Sequence, residues 1–433
     1  MEQITKPHCG ARLDRLPDCR WHSSMFAIVA FGLLVCWSNA VGGLILAQLK
    51  ALGWTDNSTT ATFSAITTAG MFLGALVGGI IGDKTGRRNA FILYEAIHIA
   101  SMAVGAFSPN IDFLIACRFV MGVGLGALLV TLFAGFTEYM PGRNRGTWSS
   151  RVSFIGNWSY PLCSLIAMGL TPLISAEWNW RVQLLIPAIL SLIATALAWR
   201  YFPESPRWLE SRGRYQEAEK VMRSIEEGVI RQTGKPLPPV VIADDGKAPQ
   251  AVPYSALLTV VLLKRVILGS CVLIAMNVVQ YTLINWLPTI FMTQGINLKD
   301  SIVLNTMSMF GAPFGIFIAM LVMDKIPRKT MGVGLLILIA VLGYIYSLQT
   351  SMLLITLIGF FLITFVYMYV CYASAVYVPE IWPTEAKLRG SGLANAVGRI
   401  SGIAAPYAVA VLLSSYGVTG VFILLGAVSI VVA

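Results

Sequence analysis

The chain has 433 residues, of which 56% are hydrophobic and only 12% are charged, and its formal net charge is +10. A soluble domain carries about a quarter charged residues, so this composition excludes a soluble globule. The positive charge does not indicate nucleic-acid binding, because the Lys and Arg residues lie almost wholly in short segments between long apolar runs.

The apolar runs predict membrane-spanning helices, since about 20 helical residues cross a hydrocarbon core. The first run, from Met25 to Leu49, is too long for a signal peptide and predicts an uncleaved first span. In chain order the predicted spans are 24–49, 61–82, 89–108, 111–139, 147–172, 181–202, 262–293, 301–323, 330–348, 352–378, 390–414 and 416–433. The predicted fold class is therefore an all-α membrane protein with twelve transmembrane helices.

Basic residues indicate the side of the membrane on which each loop lies. The loops after spans 2, 4, 8 and 10 contain Lys84, Arg87, Arg88, Arg143, Arg145, Lys325, Arg328, Lys329, Lys387 and Arg389. The opposite loops offer little beyond Lys50 and Lys299. Because cytoplasmic loops carry the excess of positive charge, both termini are predicted to be cytoplasmic. We expect a multi-pass protein of a bacterial inner membrane.

Residues 203–260 form the only substantial polar stretch between spans. From Arg207 to Ile230 apolar residues recur at helical spacing, which predicts one or two amphipathic helices on the cytoplasmic membrane face. The part from Lys235 to Pro253 is rich in proline and predicts a flexible linker. The predicted organisation is a tail at 1–23, a six-helix bundle at 24–202, the polar segment at 203–260 and a second six-helix bundle at 261–433.

Two motifs each occur twice, and the two copies of each are separated by nearly the same number of residues. Gly82-Asp83-Lys84 follows span 2 and Met323-Asp324-Lys325 follows span 8, so the two aspartates lie 241 positions apart. Glu138 and Glu380 begin Glu-x-x-Pro motifs at the ends of spans 4 and 10, and they lie 242 positions apart. Parallel repeats of this kind mark transporters whose halves rock about a site near the bilayer midplane.

These motifs resemble the major facilitator superfamily, and the resemblance covers essentially the whole chain. The stretch Gly79-x-x-Gly82-Asp83-Lys84-x-Gly86-Arg87-Arg88 is similar to the family signature between spans 2 and 3, while Pro327 replaces the usual glycine in the second copy. The resemblance implies two pseudo-symmetric six-helix bundles that transport a small solute by alternating access.

Within that family the polar motifs resemble those of sugar porters and organic-ion transporters. They include Pro203-Glu204-Ser205-Pro206-Arg207-Trp208-Leu209 and Pro379-Glu380-Ile-Trp-Pro383. The resemblance implies a cytoplasmic gate network of charged residues, with ordinary solvated loop charges as the alternative. Its predicted members are Asp83, Arg87, Arg88, Glu138, Arg145, Glu204, Arg207, Asp324, Arg328, Glu380, Lys387 and Arg389.

Arg399 is the most informative residue for the substrate. It lies about ten residues into span 11, where a charge costs about 2.5–3.5 kcal/mol on insertion scales, so it should face a cavity or a partner. The stretch Asn395 to Gly402 resembles the organic-ion and aromatic-acid branches, in which an arginine here meets the substrate carboxylate. A guanidinium suits a carboxylate geometrically. A structural pair with a neighbouring helix is the alternative.

Proton coupling is less clear from the sequence. Arg118 resembles an embedded arginine that the family ties to coupling, but span 1 lacks the usual aspartate and reads Val35-Cys-Trp-Ser-Asn-Ala40. Glu95 and His98 share one face of span 3 and are the candidate proton site. Span 3 is a peripheral support helix in this family, which favours a structural pair. Symport, facilitated diffusion and exchange all stay open.

Polar and aromatic residues at mid-span supply the candidate solute site. They are Asn39, Arg118, Asn157, Trp158, Asn277, Gln280, Tyr281, Asn285, Trp286, Tyr367, Tyr372, Asn395 and Arg399. Buried amides need partners, so they should face protein or water. This mixture predicts an organic anion such as an aromatic or heterocyclic carboxylate. A sugar or polyol facilitator or symporter, and a drug or metabolite exporter, are the alternatives.

Other functional classes find little support in the sequence. The seven cysteines and three histidines show no metal-ligand spacing or disulfide framework, and no nucleophile motif lies in a span. We therefore expect no enzymatic activity, no cofactor, no metal and no nucleic-acid partner. A sensor would need a larger output domain than residues 203–260. The expected partners are a small solute, the lipid bilayer and protons, and we expect a monomer.

Overall fold

The structure is a computed structural model that describes residues 7–17, 19–141, 144–240, 257, 259–383 and 386–433. Regular structure within these residues is helical throughout. The helices before the linker are α1 Cys9–Asp14, α2 Arg20–Val35, α3 Gly42–Ala51, α4 Asn57–Thr85, α5 Arg87–Ala106, α6 Ile111–Tyr139, α7 Arg145–Asn157, α8 Ser159–Leu170, α9 Ala176–Tyr201, α10 Pro206–Ser211 and α11 Tyr215–Thr233.

The second half follows the same plan. Its helices are α12 Val260–Thr293, α13 Leu298–Met309, α14 Gly311–Val322, α15 Arg328–Ser347, α16 Met352–Cys371, α17 Val378–Glu380 and α18 Lys387–Val432, with a π-helical segment Tyr372–Tyr377 after α16. The predicted amphipathic helices correspond to α10 and α11, whereas the predicted linker beyond residue 240 lies largely outside the described residues.

Within the described residues, nine helical stretches are long and apolar enough to cross a membrane. This confirms an all-helical membrane architecture, while the count of twelve stays a prediction. The difference arises from predicted spans 1, 5, 11 and 12, which lie in shorter or merged helices. α2 has only 16 residues, α7 and α8 divide the fifth predicted span, and α18 contains the last two predicted spans with a non-helical residue at Gly417.

The predicted first span, 24–49, contains two helices. The helix stops at Val35 and resumes at Gly42, and the residues between them, 36–41, are called here the span 1 break. Ser38 and Asn39 lie in this break, and short polar side chains compete with the helical backbone for hydrogen bonds. The Ser38 carbonyl instead accepts a hydrogen bond from Arg118 on α6. The break is thus held by a tertiary contact.

Glycines bring α4 and α6 into close contact. A Cβ added to Gly70, Gly74, Gly122 or Gly126 would strike the backbone of the facing helix. Helix association in lipid depends on such close packing, because the hydrophobic effect does not drive it there. This glycine seam holds α6 at a fixed distance from α4 and thereby places Arg118, four residues before Gly122, inside the bundle.

The two halves contact each other away from the basic loops. We call the end at which α4 and α6 finish and α5 and α15 begin the basic end, and the opposite one the outer end. Asn57 at the start of α4 donates its amide to Ser414 Oγ on α18 at 2.9 Å, and Asn305 on α13 donates to Ser164 Oγ on α8 at 3.1 Å. Gly43 on α3 lies directly against the α12 backbone. These three contacts join the halves towards the outer end.

Candidate solute site and ion-pair clusters

Arg118 is buried between α6, α4 and the span 1 break, with 2% of its surface exposed. Its Nη1 donates to the Ser38 carbonyl at 2.6 Å, and its Nε donates to Thr67 Oγ1 at 3.3 Å. The guanidinium also lies over the Phe63 ring, 4.7 Å from the ring centroid. These partners are neutral, so they orient the positive charge without cancelling it.

Gly42 brings Arg118 close to the second half. A Cβ added to Gly42 would lie 2.8 Å from Arg118 Nη2 and 3.4 Å from Asn285 Oδ1 of α12. The predicted residues Arg118 and Asn285 therefore flank one point on α3. Asn39 is half-buried in the adjoining break.

Arg399 lies on α18 between two glycines that pack on α12. Its neighbour Gly398 packs on Asn277, and Gly402 packs on Tyr281. The Arg399 side chain is partly exposed, and its buried Nη1 has no hydrogen-bond partner among the described residues. Asn395, one turn earlier, donates its amide to the Ser391 carbonyl. A buried guanidinium nitrogen without a partner is costly, so this position favours an incoming acceptor.

Aromatic residues from both halves meet near the centre. The rings of Tyr160 on α8 and Tyr367 on α16 form an edge contact with centroids 5.3 Å apart. Gln280 and Tyr281 of α12 lie beside the Tyr367 hydroxyl. The structure thus brings three predicted residues together and adds Tyr160, whose position before Pro161 in an apolar run could have signalled it.

Four predicted residues lie elsewhere. Tyr372 packs against Gly332 of α15 and beside a cavity of about 320 Å³ at the side of the bundle. Trp286 is fully buried in the core of the second half. Trp158 contacts the Phe310 ring at 6.3 Å, and Asn157 donates to the carbonyl of Ser153 on its own helix. In this arrangement of the halves, these four side chains contact other groups of the protein.

Four predicted gate residues of the first half, Asp83, Arg87, Glu138 and Glu204, form one cluster of ion pairs and hydrogen bonds at the basic end. Arg87 Nη1 binds Asp83 at 2.7 Å, and Arg87 Nε binds Glu138 at 2.9 Å. Glu204 accepts the backbone N–H groups of Arg87 and Arg88. A carboxylate at the start of α5 also interacts favourably with the helix dipole. This cluster therefore ties α4, α5, α6 and the segment after α9 together.

A matching ion-pair cluster lies at the basic end of the second half. Arg328 binds Glu380 through both Nε and Nη2, at 3.0 and 3.1 Å, and binds Asp324 at 3.0 Å. The repeat seen in the sequence is therefore also a repeat of contacts. Arg389 has a polar or ionic partner, and the side chain of Lys387 lies outside the described residues.

The other predicted gate residues have different partners. Arg88 donates to the Trp199 carbonyl at 2.6 Å. Arg207 and Arg145 lie 2.9 and 3.9 Å from Asp14. Asp14 belongs to the segment predicted as a tail, and no sequence pattern linked it with these arginines.

The residues at 9–16 pack against α10 and α11. Cys9, Leu13 and Leu16 are fully buried beside Trp208 and Met222. We call residues 9–16 the N-terminal clasp. Its packing onto the polar segment is a tertiary feature that the composition of residues 1–23 did not indicate.

Ion pairs strengthen the clasp. Arg12 pairs with Glu219 and with Glu226, and Arg15 pairs with Glu226 at 2.6 Å. Burial favours the neutral form of Glu226, but the hydrogen bonds from Arg12 and Arg15 outweigh burial and lower the Glu226 pKa below its ordinary value. The pKa of Glu219 is lowered for the same reason, by Arg12 and Arg223 acting against burial.

Glu226→Gln should loosen the clasp. Losing hydrogen bonds to a charged group should lower the free energy of local opening by about 1.5–3 kcal/mol. Hydrogen exchange of residues 9–16 in the purified protein measures this change. Glu227→Gln is the control, because Glu227 is exposed and pairs with Arg231 one turn away. Equal protection in both variants would contradict the prediction.

The clasp should also be sensitive to acid. Since the folded pKa values of Glu219 and Glu226 lie below the unfolded value of about 4.3, their stabilisation is complete above that pH. It is lost as the pH falls through the folded pKa values. Protection of residues 9–16 should therefore be constant near neutrality and should fall only in acid.

Comparisons with known proteins bear on what the site does. The family model for the Major Facilitator Superfamily matches residues 26–406. The metabolite transport protein YdjK of Escherichia coli (strain K12) is 99% identical over 433 residues, covering 100% of this chain and 94% of that protein. The inner membrane metabolite transport protein YdjE of the same strain is 44% identical over 429 residues, covering 98% and 94%.

More distant matches extend the comparison. The niacin transporter NiaP of Acinetobacter baylyi is 25% identical over 403 residues, covering 92% of this chain and 89% of that protein. The partially occluded inward open structure of the xylose transporter XylE from E. coli has a TM-score of 0.74 at 16% identity, covering 95% of this chain and 96% of that one. At that identity the likeness concerns the fold alone.

Proposed function

Because this chain belongs to the major facilitator superfamily and is a multi-pass metabolite transporter, we propose that it moves a small organic anion across the membrane by alternating access. Its relatives are transporters, and it is not an enzyme. The proposed cargo is an aromatic or heterocyclic carboxylate.

The proposal includes twelve spans and a defined orientation. α2 with α3, and α7 with α8, each have a combined length sufficient to cross the bilayer, and Gly417 divides α18 into two spans. The basic end would face the cytoplasm by its excess of Lys and Arg. The relative YdjE is an inner membrane metabolite transport protein, which supports an inner membrane location.

The observation that carries the substrate proposal is the Arg399 guanidinium. Its Nη1 is buried without a partner among the described residues, and Arg399 lies between two glycines that pack on Asn277 and Tyr281. A carboxylate would supply the missing acceptor in a charge-assisted hydrogen bond. Arg118, whose described hydrogen bonds go to neutral groups, adds a second positive charge within the bundle.

The central aromatic residues support a flat, partly apolar cargo. The rings of Tyr160 and Tyr367 meet edge to face, and Gln280 and Tyr281 lie near them. Such a lining offers ring surfaces for stacking and a few polar groups for orientation. The name of NiaP, a niacin transporter, is consistent with a carboxylate on a heterocycle.

The contacts between the halves support alternating access. The outer contacts close that end, and the two ion-pair clusters brace each half at the basic end. A transporter open to the cytoplasm would have these features. Rocking the halves would separate the outer contacts and bring the basic ends together.

Proteoliposome uptake tests the proposal. Purified protein would be reconstituted and offered radiolabelled nicotinate, benzoate, xylose and choline, with empty liposomes as the control. We expect protein-dependent uptake of at least one carboxylate, and little uptake of xylose or choline. Uptake of xylose alone would replace the anion proposal with a sugar function, and uptake of none of the four would contradict it.

A further inference from the structure

Two ionisable residues on α5 are completely buried away from the proposed solute site. Glu95 and His98 are each 0% exposed, and Glu95 Oε2 lies 3.5 Å from His98 Nδ1. Neither carboxylate oxygen of Glu95 has a hydrogen-bond partner among the described residues. With Glu95 ionised and His98 neutral the pair carries one negative charge, and a single added proton removes it. In an apolar interior that change of charge has a large effect on neighbouring groups.

Ser38 connects this pair to Arg118. Ser38 Oγ lies 2.6 Å from His98 Nε2, and the Ser38 carbonyl accepts from Arg118 Nη1, also at 2.6 Å. The carbonyl is available because Ser38 lies in the span 1 break. A continuous helix would pair it with the N–H four residues later. The contacts therefore form one chain from Glu95 to Arg118.

Few other titratable groups face the pair. The span 1 break contributes Cys36, whose Sγ lies 4.0 Å from both ring nitrogens of His98. Among the described side chains of α6, the titratable groups on this side are Arg118, Cys117, which packs against α5 at Gly105, and, towards the basic end, Tyr139. No buried side chain of the described residues of α4 and α9 is titratable, and α5 itself adds Tyr94. Arg118 is thus the charged group linked to the pair from another helix.

We propose that Glu95 and His98 form a proton-binding site that acts on Arg118 and the span 1 break through Ser38. The coupling role rests on the proposed transport function, whereas proton binding by the pair does not. One proton binds a carboxylate oxygen of Glu95 as the pair becomes neutral and leaves that oxygen as the negative charge returns. When the pair is negative, it attracts the Arg118 guanidinium, to which it is connected through Ser38. When the pair is neutral, this attraction is lost. Since α3 continues from the break to the α12 contact at Gly43, the charge of the pair biases closure of the outer end.

Infrared titration tests proton binding without any solute. Difference spectra of the purified protein recorded over a pH titration should show the carbonyl stretch of a buried carboxyl group that gains or loses a proton. Glu95→Gln should abolish that band, and Glu95→Asp should move it while keeping a carboxyl group. Glu177→Gln, at an exposed position on α9, should leave the band unchanged. A wild-type protein without the band, or a Glu95→Gln protein that keeps it, would overturn the proposal.

Two further variants test the connection through Ser38. Ser38→Ala should shift the pH midpoint of the band, because His98 loses its hydroxyl contact. Ser108→Ala removes another buried serine hydroxyl, which donates to the Gly105 carbonyl, and should leave the midpoint unchanged. Equal midpoints in wild type and Ser38→Ala would remove Ser38 from the proposal.

Transport assays separate this proposal from the proposed function. If the wild type moves none of the four probes, the transport proposal fails, and the infrared result still decides proton binding. If the wild type accumulates nicotinate or benzoate under a pH gradient, Glu95→Gln should lose that accumulation yet retain exchange of labelled for unlabelled solute. Accumulation retained by Glu95→Gln, or uptake by the wild type that ignores the gradient, would overturn the coupling role.

Discussion

Arg399→Ala is expected to weaken carboxylate binding by about 10- to 100-fold. A hydrogen bond to a charged group contributes about 1.5–3 kcal/mol, and each 1.4 kcal/mol is a factor of ten in affinity. We assign this bond to the substrate because Nη1 of Arg399 is buried without a hydrogen-bond partner among the described residues. Calorimetric titration of the purified protein with the carboxylate that the wild type transports measures the change.

Two further variants define what the Arg399 result means. Arg399→Lys retains the charge but not the planar fork, so it should recover only part of the affinity. Arg231→Ala removes an exposed arginine from α11 and should bind like the wild type. Unchanged affinity in a folded Arg399→Ala protein would assign this arginine a structural role.

Gly43→Val is expected to reduce transport to a background level by holding the outer end open. A Cβ at residue 43 would collide with the backbone of Ile284 and Asn285, and backbone in a packed helix cannot move aside as a flexible side chain can. Outward-facing binding of the solute should survive, because the collision lies on the closing path. The variant should therefore bind solute from outside and fail to release it inside.

Spin-label distances across the outer end measure that state directly. Labels at Leu173 and Lys299, both exposed, should move farther apart in Gly43→Val than in the wild type. Gly169→Val is the matched control, because an added Cβ at Gly169 meets no atom within 4 Å. Transport at the wild-type rate in Gly43→Val would show that α3 and α12 do not need this close approach.

The ion-pair clusters show which charged contacts local sequence patterns can predict. The two copies of the Gly-Asp-Lys and Glu-x-x-Pro motifs predicted paired charges at corresponding places, and the structure has Arg87 with Glu138 and Arg328 with Glu380. A charge motif at a helix end predicts a local partner because the helix ends converge there. The same reasoning missed Asp14, since nothing in a polar N-terminal segment indicates which helix it will contact.

The residues predicted for the solute site also divide into those whose neighbours the local pattern indicated and those whose neighbours it did not. Asn277 and Tyr281 are four positions apart in the sequence, a spacing that puts both on one helical face, and the structure places both against α18. Tyr372 was predicted for the same site but packs on Gly332 of α15. A π-helical segment, Tyr372–Tyr377, begins at this residue. A π-helical turn rotates the following side chains around the helix axis, and a regular helical projection cannot anticipate it.

The sequence by itself determined the class of protein, the positions of the apolar helices and the internal repeat, because hydrophobicity and charge act within one segment and leave a local record. Only the tertiary structure decided the span 1 break and the chain of contacts from Glu95 through His98 and Ser38 to Arg118. Ser38 lies 60 residues from His98 and 80 from Arg118 along the chain. Contacts at such separations depend on how helices pack, and the packing minimises the cost of buried polar groups over the whole bundle rather than within any one helix.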